Sequence, residues 1–236
     1  MKKEIDIYFD ENYGKLYEKM ENGKSEIFRY EDENGKITNQ FLKREIPEKI
    51  DGKVYYDLVT PYGYGGPVVE FSNNKEKLLE NYEKEFTKYC IENDIVSEFV
   101  RFHPIAKNYE DFRKMYNAEY MRKTLATNLE NYDDPFQEEF SKSTKKTVRR
   151  VLNSGVTYRI TERPENLEEF KRVYYLNMER KEASEYYFFD DQYFSDILKY
   201  YKENVILVEA MYENKVVAAG LYFISNRNNT CSFIRN

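Results

Sequence analysis

Histidine occurs once in the chain, at His103, which rules out a site built from several imidazoles. Cysteine occurs twice, and Cys90 and Cys231 are too few and too far apart for a disulfide framework or a metal cluster. A cysteine–histidine nucleophile pair would have to join one of them to His103, and neither carries a local signature. No metal is expected. Neither a Walker loop nor a G-x-G-x-x-G fingerprint is present. No apolar run approaches the length of a membrane span. The opening Met-Lys-Lys-Glu-Ile-Asp-Ile is too acidic and too short in apolar residues for a signal peptide. With both absent, the expected location is cytoplasmic. Tryptophan is missing altogether, which leaves 24 tyrosines as the main amphipathic aromatics.

What is present reads as a soluble globular protein. The 236 residues make one large domain or two small ones, with enough chain for a substantial core. The net charge of −6 argues against a surface coated in nucleic acid and leaves room for a local basic patch.

The most distinctive stretch is Tyr55-Tyr-Asp-Leu-Val-Thr-Pro-Tyr-Gly-Tyr-Gly-Gly-Pro67. It opens with residues that suit a strand and then breaks at Pro61, Gly63, Gly65 and Gly66. A helix follows, capped by Ser72 or Asn73, with Leu78, Leu79, Tyr82, Phe86, Tyr89 and Cys90 at helical spacing. Strand, glycine loop and helix present free backbone N–H groups to an anion, although a tight turn has the same signature.

Before it, residues 4–9 read as a strand, residues 11–20 as a helical turn, and residues 24–31 and 36–46 as a hairpin closed at Asn34-Gly35. After it come a strand over residues 95–102, a helix over 109–116 and a strand over 120–129. Residues 133–154 read as one helix ending at Gly155, with a stripe of Phe136, Phe140, Thr144, Val148, Val151 and Leu152. A strand over 156–161, a helix starting near Pro164, a helix from Asp190 or Asp191, and strands over Val205–Tyr212, Lys215–Ser225 and Thr230–Ile234 complete the chain. The class is α+β, with largely antiparallel hairpins in each half.

Lys142, Lys145, Lys146 and Arg149, with Arg150 beside them, share one helix face opposite the apolar stripe. No acidic residue lies between Lys142 and Ile160, so the face is either solvated or a phosphate site. Arg101 and His103 end a strand, where cleft residues often sit. His103, Asp57 and Glu98 are the candidate bases; Glu98 equally suits a pair with Arg101. Tyr62 and Tyr64 flank glycines and are expected to be exposed. Arg180 faces substrate or solvent.

Together, residues 56–67, Val96-Ser97-Glu98-Phe99-Val100-Arg101-Phe102-His103-Pro104, the basic helix ending in Gly155, and Tyr175-Leu176-Asn177-Met178-Glu179-Arg180 with Ala183 and Tyr186-Tyr187-Phe188 resemble the FemAB-like branch of the GNAT acyltransferases. That branch includes the peptidoglycan-bridge aminoacyltransferases. The resemblance implies a tandem GNAT-like fold, with a first domain over residues 1–128 and a second over 129–236. Family members run on past Asn236, so it also implies an incomplete second GNAT fold, inactivity of this chain alone, and self-association through an open C-terminal sheet edge.

The implied function is N-acyltransfer in cell-envelope or surface-polysaccharide assembly; a non-catalytic acceptor-binding fragment is the alternative. The implied donor is acyl-CoA or aminoacyl-tRNA, with tRNA a further partner, and the acceptor a nucleotide-linked sugar or peptidoglycan precursor. Tyr62, Gly63, Tyr64, Gly65, Gly66, Arg101, Lys145, Arg149, Arg150 and Arg180 are then the substrate-binding candidates. Such transfer needs no covalent enzyme intermediate. The protein holds two substrates, removes a proton from the amine and stabilises an oxyanion.

Overall fold

A computed structural model describes residues 6–127, 131–225 and 230–234, the last five by backbone alone. The chain is mixed α+β and divides into two compact units, Met1–Arg122 and Lys123–Asn236. The expected boundary at 128/129 falls outside the described residues.

The first unit holds a five-stranded sheet. β1 (Gly23–Asp32) and β2 (Gly35–Glu45) form an antiparallel hairpin. Its two loop residues are Glu33 and Asn34, one position before the expected Asn-Gly pair, because Gly35 already pairs with Asp32. β3 (Tyr56–Val59) and β4 (Val68–Ser72) both pair with β2. α1 (Lys75–Glu92) then crosses over to β5 (Ile95–Phe99), which lies parallel to β3. α1 is capped by Asn74, whose side chain accepts from the Lys77 N–H at 3.2 Å. It buries Leu78, Tyr82 and Phe86 against Ile37, Phe41, Leu58, Ile95 and Phe112. Each such side chain contributes about 2 kcal/mol. Phe112 comes from α2 (Tyr109–Phe112).

Three expectations change here. Ile7–Phe9 is a 3-10 turn, not a strand. β4, rich in β-branched and aromatic residues, separates the glycine loop from α1, so the helix N-terminus does not abut that loop. Residues 120–127 form no strand.

In the second unit, the expected single helix over residues 133–154 is two. α3 (Pro135–Glu139) starts at Asp134, whose side chain accepts from the Gln137 N–H at 3.1 Å. Phe140 is extended, and Ser141 caps α4 (Lys142–Asn153) by accepting from the Thr144 N–H at 3.1 Å. Gly155 follows at φ +92°, the left-handed position that ends a helix.

β6 (Thr157–Glu162) comes next, then α5 (Glu168–Arg180) and α6 (Asp191–Tyr201). β7 (Val205–Tyr212), β8 (Lys215–Ser225) and β9 (Thr230–Ile234) complete an antiparallel sheet in chain order, with β6 and β9 at its edges. Phe170, Tyr174, Phe194, Ile197, Tyr201, Leu207, Leu221 and Phe223 are its core. Arg159 on β6 bonds Glu209 on β7 across the pair, Nε to Oε2 at 2.7 Å, and Glu209 is buried.

Candidate functional site

The break at Phe140–Ser141 makes the site. It lets α3 turn back so that Gln137 meets α4. Lys145 Nζ donates to the Gln137 carbonyl at 2.7 Å, and Arg149 Nη2 donates to Gln137 Oε1 at 2.8 Å. In one continuous helix Gln137 would sit about 140° around the axis from Lys142, away from the cations. That is why the sequence reading missed it.

Gln137, Lys142, Lys145, Lys146, Arg149, Arg150, Asn153 and Ser154 line an open groove of about 800 Å³. None of its five cations forms an ion pair with a carboxylate among the described residues. Lysines and arginines without counter-charges, held at one mouth, suit phosphate oxygens. Among the described residues no carboxylate, imidazole or thiol lines the groove.

Arg180 lies on a second pocket of about 610 Å³ between α5 and β8, with Nη2 donating to Asn177 Oδ1 at 2.7 Å. The other candidates belong to the first unit.

There the glycine loop is folded into its own surroundings. The Gly65 N–H donates to the Arg101 carbonyl at 2.9 Å. Asn108 Nδ2 donates to the Gly65 and Pro67 carbonyls at 2.9 and 3.0 Å, and Asn108 Oδ1 accepts from the His103 N–H. Gly63 and Gly66 adopt φ +101° and +85°. A Cβ on either would lie 2.4 Å from a side-chain carbon, of Tyr8 and Val100 respectively. The close approach these glycines allow is therefore to the chain itself, and Gly65 offers no free N–H to an anion. Tyr13 O–H donates to the Tyr62 carbonyl at 2.8 Å. Tyr62 keeps an exposed ring, while Tyr64 packs edge-on against Tyr8 and His103.

His103 is buried. Its Nδ1 accepts from the Ile105 and Ala106 N–H groups at 3.2 and 3.0 Å, and Nε2 faces the buried Asp6 carboxylate at 3.6 Å. Its lone pair is occupied in holding a turn, which leaves none for a substrate amine. Asp57 is held in two places by Arg44, at 3.0 and 2.6 Å, and Arg44 also meets Glu21.

Glu98 accepts from Asn39 Nδ2 at 2.9 Å and from Tyr116 O–H at 2.6 Å, not from Arg101. Burial pushes its pKa up, and these two donors partly offset the rise. Its charge raises the neighbouring Tyr116, Tyr82 and Cys90 in turn, although burial is the larger cause in each; Cys90 is pushed up to about 11. Arg101 is exposed, with its guanidinium over the Phe99 ring at 5.2 Å. Lys145, Arg149 and Arg150 are thus brought together at one groove, whereas His103, Asp57 and Glu98 are each committed to internal partners.

The FemAB family profile matches residues 105–222, half of the chain, and the groove lies inside that span. The chain belongs to the FemAB family. No curated protein matches it. The FemAB match takes in the basic helix and the Tyr175–Arg180 stretch, and leaves out both the glycine loop and residues 96–104. No helix among the described residues is long and apolar enough to cross a membrane, and no cluster of three metal-ligating side chains occurs among them.

Proposed function

We propose that this chain is a transferase that moves an acyl or aminoacyl group onto an amine of a phosphate-bearing acceptor, on a tandem GNAT-like fold. The acceptor is a nucleotide-linked sugar or peptidoglycan precursor. The donor is acyl-CoA or aminoacyl-tRNA, and the setting is cytoplasmic assembly of the cell envelope or a surface polysaccharide. The observation that carries this reading is the groove on α4: five cations without carboxylate partners, inside the FemAB-matched span of an acidic chain. Such a groove holds a diphosphate or a tRNA backbone by charge-assisted hydrogen bonds.

A second reading is favoured by a separate observation. Every candidate base is hydrogen-bonded to an internal partner, and none lines the groove. On that reading the chain is a binding module for the acceptor and performs no transfer. Isothermal titration with acetyl-CoA, an aminoacyl-tRNA and a nucleotide-linked sugar separates the two. The transferase binds a donor and the acceptor, whereas the module binds the acceptor alone. Failure of all three to bind would sink both readings.

A further inference from the structure

We propose that α4 docks on an anionic lipid surface, with Phe140, Val148, Val151 and Leu152 inserted and its lysines and arginines among the headgroup phosphates. The inference rests on the α4 cations being a phosphate site, as the proposed function holds, and adds the opposite face of the helix to it. Among the described residues, no other helix of eight or more residues leaves its apolar side chains so uncovered. α1, α5 and α6 each bury at least three side chains, whereas α4 buries none. Its apolar side chains Val148, Val151 and Leu152 stand 37%, 40% and 44% exposed, and Phe140, just ahead of the helix, 40%.

At about 100° per residue Val148, Val151 and Leu152 share one side, and the five cations take the other. A helix with well-separated charged and apolar faces and low overall hydrophobicity lies in the plane of a bilayer interface. With twelve residues, α4 is too short to cross one.

Charge complementarity selects the occupant. An apolar protein partner would cover the stripe and leave five cations without counter-charges. A second copy would bring five more. An anionic bilayer supplies both the apolar interior and the phosphates, and long lysine and arginine side chains reach back to the headgroups along the helix flanks.

The absence of tryptophan gives a clean test. Leu152→Trp places a lone reporter on the apolar face of the full chain. Vesicles of phosphatidylcholine with added phosphatidylglycerol should shift its emission to the blue, and brominated acyl chains should quench it. Phosphatidylcholine alone should do neither. Lys145→Ala, Arg149→Ala and Arg150→Ala together should weaken vesicle binding roughly a hundred-fold. Val148→Ser with Val151→Ser, checked for retained helix by circular dichroism, should weaken vesicle binding and spare binding of a soluble nucleoside diphosphate.

Vesicle binding without quenching would mean adsorption by charge alone and would overturn the proposal. So would absence of vesicle binding, or a blue shift that grows with protein concentration without lipid, the sign of a second copy. Quenching by vesicles with no nucleoside diphosphate binding would support the docking and count against the proposed acceptor. The reverse result would spare the acceptor and overturn the docking.

Discussion

Gly66 and Gly52 offer a matched pair for asking what the glycine loop is for. Both adopt a left-handed backbone, at φ +85° and +79°. Alanine at such a position costs about 1 kcal/mol in backbone strain. A Cβ on Gly52 would meet nothing within 4 Å, so Gly52→Ala should cost that and little more. A Cβ on Gly66 would lie 2.4 Å from Val100 Cγ1, with Asn108 Nδ2 and Phe102 Cε1 each at 3.6 Å. Forcing a methyl into such a site adds about 1–3 kcal/mol. Gly66→Ala should therefore cost about 2–4 kcal/mol in all.

At about 4 °C per kcal/mol, the two variants should melt about 4 °C and about 8–16 °C below the parent. Circular dichroism melts measure this directly. Val100→Ala should restore part of the loss in Gly66→Ala, giving a coupling of about 1–3 kcal/mol in a double-mutant cycle. Equal losses for Gly52→Ala and Gly66→Ala, with no coupling to Val100, would refute the claim that packing within the chain, rather than a ligand, demands glycine here.

Three further outcomes are expected. Lys145→Ala, Arg149→Ala and Arg150→Ala together should lower affinity for a nucleotide-linked ligand and reduce the salt slope of log K by about 2–3, with stability unchanged to within about 0.5 kcal/mol; titration across a salt series checks both. Glu98 has a raised folded pKa, so its contribution is full below its ordinary value of 4.5 and is lost as pH rises through the folded value; melting temperature should fall across that window less steeply in Glu98→Gln than in the parent. Ser141→Ala should cost about 0.5–2 kcal/mol through loss of the α4 cap, and should weaken ligand binding as Gln137 loses its register against Lys145 and Arg149. Denaturant melts and titration of the same variant test that pair.

Much of the fold was legible because burial and periodicity agree. β7, β8 and β9 fall on the expected residues, and the α1 stripe of Leu78, Tyr82 and Phe86 is the buried one. The failures share a physical pattern, in which a local hydrogen bond or a tertiary pairing overrides the periodic signal. The spacing of Phe140, Thr144 and Val148 runs straight through the α3–α4 break, and only the Ser141 hydroxyl on the Thr144 N–H marks it. Val68 and Val69 pair with β2, a long-range choice that a search for strand, loop and helix passes over. Ile7, Tyr8 and Phe9 are strand-prone by type, yet the Asp6 and Ile7 carbonyls draw the Phe9 and Asp10 N–H groups into a turn.

The site was legible in part for the same reason. A charge cluster on one helix face can be read from spacing alone, and Lys145, Arg149 and Arg150 do lie together along one groove. The commitments of His103, Asp57 and Glu98 depend on Asp6, Arg44, Asn39 and Tyr116, which spacing does not connect to them. Residues 56–67 and 96–104, which carried much of the resemblance, lie outside the FemAB match, and the basic helix lies within it.

The Arg159–Glu209 pair has a consequence for how the second sheet finds its alignment. Tyr158 and Ile160 on β6 are both largely exposed, so the apolar side chains of this strand give little preference for one pairing over another. A slip by one residue would turn Arg159 to the opposite face. A slip by two would bring Thr157 or Thr161 opposite Glu209 and strand a buried carboxylate without a cation, at about 3–5 kcal/mol. The strand that opens the sheet is keyed into place by a single charge, much as a polar residue in an otherwise uniform seam fixes which alignment is allowed.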